Sequence, residues 1–318
     1  MRPVKELWMT FRVVPVLQWT FTNSIIVLAS TFYIMGKADI VSWFMASVVA
    51  WATQGFLSHV VNDIYDWIHG TDRLVDIDKT ITGGSHTVHK YYTENVFAHA
   101  KNILPWAIIS LVSTYYFIHI MHWLHYVACG ATLAVVVGVF YSAPPVKADH
   151  RPFIGEWVVA FGGLMSCNAL LYYAAAHTIS LELITASFPY VITNMILLKM
   201  HHVNDIFPDL NAEVVKYTSI SWLYEKYGIK AVSRYLVALL SVLLFVSLIT
   251  SLSVISAVVF IPLAIYGYRL VKAYSGLDFN AYPFYLGTTV PVEIKWIISS
   301  IVTGLVYAVL NITLLFLT

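Results

Sequence analysis

Apolar residues in this chain fall in long runs broken by short polar stretches. Strict alternation, the mark of a half-buried strand, is absent from these runs. A helix needs about 20 mostly apolar residues to cross a hydrocarbon core. Nine runs meet or approach that length: Pro15–Met35, Ile40–Val61, Ile103–Met121, Leu124–Tyr141, Ile154–Ala176, Leu183–Met200, Tyr235–Leu252, Val254–Tyr268 and Trp296–Leu317. The seventh and eighth abut. As one helix they would reach roughly 51 Å at about 1.5 Å per residue, well beyond a core of about 30 Å. The pattern therefore predicts a tight turn near Ser251–Ser253.

Basic residues orient these spans. With the N-terminus in the cytoplasm, Lys37 alone of the 18 Lys and Arg falls on an outside segment. That asymmetry is the positive-inside pattern, and nine spans then leave the C-terminus outside. The outside loops are short. Two inside loops, 62–95 and 201–234, are long and carry most of the acidic residues, so the working face is expected on the cytoplasmic side. The chain is read as one integral-membrane domain, 1–318.

Composition agrees with the pattern. Hydrophobic residues make up 59% of the chain and charged residues 11%, against about 25% charged in soluble domains. An all-α, multi-pass fold around a central cavity is expected, with the lipid bilayer as solvent. The net charge of +1 suggests no nucleic-acid partner. Cys129 and Cys167 lie inside apolar runs and read as packing residues. The opening "MRPVKELWMTFRVV" places charges before a full-length span, unlike a cleavable signal.

The candidate chemistry lies where two spans emerge. After the second span comes "NDIYDWIHGTD". If the helix continues past Val61, Asn62 and Asp66 share one face with Asp63 beside them, and Asp72 follows. Stacked carboxylates repel one another unless a cation intervenes. Oxygen donors with few His or Cys suit a hard ion, Mg²⁺ before Ca²⁺. A solvated helix end is the plain alternative for one such cluster. The sixth span ends in a second, "HHVNDIFPDLNAE", with Asp205, Asp209 and Glu213 at i, i+4 and i+8. Two acidic ladders on one face could grip a diphosphate through metal ions.

These residues carry a resemblance. "NDIYDWIHGTDR" and "TGGSHTV" resemble the UbiA-type membrane prenyltransferases, and Gly70-Thr71-Asp72 with Gly83-Gly84-Ser85 is similar to the dihydroxynaphthoate branch of menaquinone synthesis. "YSAPPVK" looks like the family's loop after the fourth span, and "FGGLMSCNALLYY" like its fifth span. The resemblance covers nearly the whole chain. It implies nine helices, a cap of the two long loops, and Mg²⁺-dependent transfer from a prenyl diphosphate to a lipophilic aromatic acceptor. Asn62, Asp66, Asp205, Asp209 and Glu213 are the expected metal ligands. Asp66 and Asp209 carry catalysis, and Asp63 or Asp72 positions or deprotonates the acceptor. Tyr141, Lys147, Arg151, Arg73, Lys216 and Ser85 are expected to bind substrate.

The departures matter. The Tyr141-to-Lys147 spacing is longer than the family's, leaving Lys147 and Arg151 as alternatives. His86 follows the G-G-S loop where Arg is usual. The basic run after the second motif is reduced to Lys216 and Thr218. Pro208 leaves the second motif with two registers, Asp205/Asp209 or Asp209/Glu213.

Rival classes fit less well. A cation-coupled transporter places charges near the midplane on broken helices, whereas these ladders lie at helix ends. The spacing of His119, His122 and His125 fits an interfacial belt beside Trp123 and Tyr126. A transferase acting on a non-aromatic acceptor, such as a glycerol phosphate ether, remains the second functional alternative. Asn168 and Asn194 are expected to hydrogen-bond between helices.

Overall fold

The computed structural model describes residues 2–79, 84–121 and 123–317. Among these, seven helices are long and apolar enough to cross a membrane: α1 Val13–Met35, α2 Ile40–His69, α3 Val96–Ile120, α5 Gly155–Ala176, α7 Ile229–Thr250, α8 Val254–Gly276 and α9 Leu286–Leu315. Two shorter helices complete the bundle, α4 Leu124–Phe140 and α6 Phe188–Asn204. An amphipathic helix, Arg2–Phe11, precedes α1.

Several boundaries differ from expectation for identifiable reasons. The turn between α7 and α8 falls where predicted: Ser251 and Ser253 are extended, and the Ser253 hydroxyl caps α8 by accepting from Ser256 N–H. α8 breaks its regular pattern at Val259, three residues before Pro262, whose missing N–H cannot continue the ladder. α9 begins at Leu286, ten residues before the predicted Trp296, because Glu293 and Lys295 hide the helical segment from a hydropathy reading. α2 runs on to His69, eight residues past Val61.

In the bundle, α1 packs against α9 and α5, α2 against α3, α4 and α5, and α6 against α7 and α9. Two large apolar cores result, with a smaller cluster of Trp19, Ala160, Leu164, Val191 and Met195. One joins α6 to α9 around Tyr190, Met200, Leu236, Phe260 and Trp296. The other joins α1 to α5 around Val27, Ala50, Phe117, Leu170 and Tyr172. Polar pairs cross between helices, as expected without water to satisfy them. Asn168 accepts from Asn23 and donates to Ser187 Oγ, and Asn194 Oδ1 accepts from Gln18 at 3.2 Å. Between the two cores lies a cavity of about 840 Å³.

Candidate active site

The cavity has an apolar body and one polar end. Trp19, Val137, Val159, Ala160, Leu197 and Ile297 line the body. Asn62 and Asp66 reach the polar end from α2, and Asp205 from the end of α6. α2 is helical through this stretch, so the i,i+4 spacing puts Asn62 and Asp66 on one face: Asn62 Nδ2 donates to Asp66 Oδ2 at 2.9 Å and to Ser142 Oγ at 3.0 Å. Thr71, Asp72, Gly84, Ser85 and His86 close the same end. Gly83, the first residue of the predicted G-G-S loop, falls outside the described residues, as does His122.

Lys216 is the central cation. Its ammonium donates to both Asp66 oxygens at 2.8 Å and lies 3.5 Å from Asp149 Oδ2. Burial alone would lower its pKa, but Asp66, Asp149 and Asp209 outweigh that and raise it well above the usual lysine range. Asp209 is buried beside this group, with Thr218 Oγ1 donating to its Oδ2 at 3.4 Å. Burial, with Asp205, Asp66 and Asp149 nearby, pushes the Asp209 carboxyl well up despite Lys216. Asp72 is pushed up in the same way by burial and by Asp66 and Asp63. Asp149 is raised to about 7, chiefly by burial. Several carboxylates thus compete for one ammonium, the situation in which an added cation is favourable.

Other predicted residues sit elsewhere. Asp63 does not line the cavity. It accepts from Ser85 N–H at 2.9 Å and from Ser85 Oγ, with His99 Nε2 at 3.2 Å, and so anchors the 84–87 loop. Glu213 lies beyond the helix Ile206–Asn211, which gives way to extended backbone at Ala212. The i+8 repeat therefore fails, and Glu213 is exposed and paired with Arg73 at 2.8 Å. Of the second motif, Asp205 lines the cavity, while Asp209 is buried behind it beside Lys216 and does not. Lys147 lies 3.0 Å from His69 Nε2 and Arg151 is exposed; neither lines the cavity. Tyr141 does, with its hydroxyl 3.3 Å from His202 Nε2.

The sequence reading missed several cavity residues. Arg12, His59, His201 and Glu293 all line it. Glu293, buried on α9, lies 2.8 Å from His201 Nδ1 and accepts from Asn204 Nδ2. Behind the wall, Glu156 pairs with Lys199 at 2.9 Å and accepts from Ser219 N–H and Oγ, each at 2.9 Å. A third segment meets the two long loops. Segment 277–285 adds Tyr282, whose hydroxyl accepts from Asp76 N–H at 2.6 Å, and Tyr285, whose hydroxyl donates to Asn204 O at 3.0 Å.

The donor set at this end fits a hard divalent cation: Asp66, Asp72 and Asp205 offer crowded carboxylate oxygens, and Asn62 has an amide oxygen in addition to the Nδ2 it donates to Asp66. Among the described residues, no three His, Cys, Asp or Glu stand together as a ready-made cage. Mg²⁺ asks for no more than one or two carboxylates, taking its remaining oxygens from water and phosphate.

No protein-family model and no curated protein matches the chain. Solved structures do share its fold. A UbiA homolog from Archaeoglobus fulgidus superimposes with a TM-score of 0.59 at 12% identity, covering 94% of this chain and 98% of the other. A structure of a UbiA homolog from the same organism, bound to GPP and Mg²⁺, gives 0.58 at 12% identity over 94% and 99%. The chain thus has the UbiA-like fold.

Proposed function

We propose that the protein is a membrane prenyltransferase that moves an isoprenoid chain from a prenyl diphosphate to a lipophilic acceptor, with Mg²⁺ as cofactor. The observation that carries this reading is the meeting of Asn62, Asp66, Asp72, Asp205 and Lys216 at one end of a large apolar cavity. The Mg²⁺ and GPP bound by the similarly folded archaeal protein support it.

In this reading Asn62 and Asp66 hold one ion and Asp205, backed by Asp209, a second. When bound, Mg²⁺ neutralises charge on the leaving diphosphate. Lys216 supplies a fixed positive charge for the same oxygens. The allylic C–O bond breaks, and its electron pair leaves with the diphosphate. Tyr141, near Lys216 and Asp66 at the polar end, is the aromatic wall residue placed to stabilise the resulting cation, a contact worth about 0.5–2 kcal/mol. An acceptor carbon then forms the new C–C bond, and the proton it loses passes to the carboxylate of Asp72, which lines the cavity. The apolar body excludes the water that would otherwise quench the cation.

The finer assignments rest on the motif resemblance and the charge pattern of the sequence. Thr71, Asp72, Gly84 and Ser85, which carry the resemblance to the naphthoate branch, all border the polar end. We therefore assign the acceptor as an electron-rich aromatic quinone precursor held beside Asp72. All nine helices cross the bilayer, with the N-terminus and the site in the cytoplasm, as the Lys and Arg distribution indicates.

The test is an assay of membranes with labelled prenyl diphosphate and a panel of aromatic acceptors. Chelation should abolish transfer. Asp66→Ala and Asp209→Ala should each lower it about 100-fold or more, the scale of losing one group that stabilises transition-state charge. Undiminished transfer in both variants would refute the assignment.

A further inference from the structure

Among the described residues five helices contain π-type turns; four of them, Leu17–Thr22 in α1, Thr53–Ser58 in α2, Ala134–Phe140 in α4 and Gly155–Ala160 in α5, border the cavity, and the fifth, Tyr116–Ile120 in α3, does not. Such turns are rare and concentrate at functional sites. Each of the four supplies cavity wall: Trp19, Gln54, Val137 and Ala160 respectively. A separate void of about 10 Å³ shares Trp19, Gln54 and Val137 with the cavity. The void's other residues lie deeper on every helix. Thr20 follows Trp19, Thr53 and Ala50 precede Gln54, Leu133 precedes Val137, and Gly163 and Cys167 follow Ala160. In each case the step runs away from the acidic end. The three shared side chains are therefore a partition, with the acidic end above and Leu133, Leu164 and several small side chains beneath.

Val137 is held in this partition by close packing. Gly163 lies directly against it, and even a methyl group there would overlap Val137 Cγ2. The side chain has no retreat into α5. The partition is thus a fixed surface and not a loosely packed end.

Resting on the transferase reading, we propose that Trp19, Gln54 and Val137 are the floor that sets the length of the prenyl chain. Along α2, Gln54 precedes Asn62 by 8 residues and Asp66 by 12. At about 1.5 Å per residue the depth is about 12–18 Å. An isoprene unit has four main-chain bonds where a peptide residue has three. At about 3.3–3.6 Å per extended residue, one unit spans about 4.5 Å. The cavity then takes about three to four units, a farnesyl or geranylgeranyl chain. The competing path is sideways, since Val14 on α1 and Ile298 on α9 both border the cavity and are 50% and 58% exposed. A tail leaving there would ignore the floor.

The experiment is thermal stabilisation of the full chain in detergent with Mg²⁺. The probes are inorganic diphosphate and the S-thiolodiphosphates of geranyl, farnesyl, geranylgeranyl and a six-unit prenyl chain. The wild type should favour three or four units. Trp19→Ala and the milder Val137→Ala should shift preference toward the six-unit chain. Ala160→Leu, which fills the wall above the floor, should shift it toward geranyl. Each shift should reach about tenfold in relative Kd, the discrimination a hydrophobic pocket makes for even one surplus methylene. Stabilisation by inorganic diphosphate with no length preference, or an unchanged preference in Val137→Ala and Ala160→Leu, would overturn the floor and leave the diphosphate site standing. No stabilisation by any diphosphate would overturn the transferase reading and the floor with it.

Discussion

Replacing Lys216 by Met tests the electrostatic account of the site most directly. The ammonium touches both Asp66 oxygens at 2.8 Å and Asp149 at 3.5 Å, and only 7% of its side chain is exposed. At an effective dielectric near 20, two unit charges about 4 Å apart attract by about 4 kcal/mol. Desolvation offsets part of this in forming the pair. Removing one partner leaves the other charge buried and alone, which costs about 3–5 kcal/mol. Lys216→Met should therefore melt at a lower temperature without metal, read by the fluorescence of the 10 tryptophans. Mg²⁺ should restore part of the loss. At about 100 times its Kd a ligand contributes about 2.7 kcal/mol, and the gain should exceed that in the wild type, where Lys216 already occupies Asp66. The double variant Lys216→Met/Asp66→Asn should recover most of the stability, because it removes the orphaned charge. Equal melting of wild type and Lys216→Met, with equal responses to Mg²⁺, would refute the reasoning.

Other outcomes separate site from scaffold. Glu213→Gln should change transfer and stability little, since exposed pairs such as Arg73–Glu213 contribute about 0–1 kcal/mol, while Asp205→Asn should nearly abolish turnover; the reverse would restore the other register. Gly84→Ala should be damaging: the backbone there has φ +72°, and an added methyl would lie 2.9 Å from Asp72 Oδ2 and closer still to Asp63, so melting should fall by more than the ~1 kcal/mol typical of a backbone misfit. Glu293→Gln should cost about 1–3 kcal/mol by weakening the contacts to His201 and Asn204, measured against Glu94→Gln at an exposed position as a surface control. Tyr282→Phe should cost about 0.5–1.5 kcal/mol for the lost bond to Asp76 N–H, with hydrogen exchange rising in the 72–79 segment.

The spans and the Asn62/Asp66 pair were legible because both depend on local spacing. Apolar length marks a buried helix, and i,i+4 spacing places two side chains on one face wherever the helix runs. Asp205 was legible as the residue where α6 emerges, whereas Glu213 was not placed by spacing, because its position depended on where the short helix Ile206–Asn211 ends. Glu293 escaped notice for a different reason. A single acid in an apolar run carries no periodic signal, and its partner His201 lies 92 positions earlier. Asp149 likewise gains meaning only once the fold brings Lys216 beside it. Long-range charge pairing leaves little trace in one sequence.

The bond between Tyr282 and Asp76 also sets an order of events during synthesis. The two residues are 206 positions apart. At about 5–20 residues per second, translation needs about 10–40 s to bridge that gap. For that interval the first acidic loop lacks its latch, while most of the helices around it are already made. The latch forms only once Tyr282 has been made, and α9, which lines the cavity through Glu293 and Ile297, follows it in the chain.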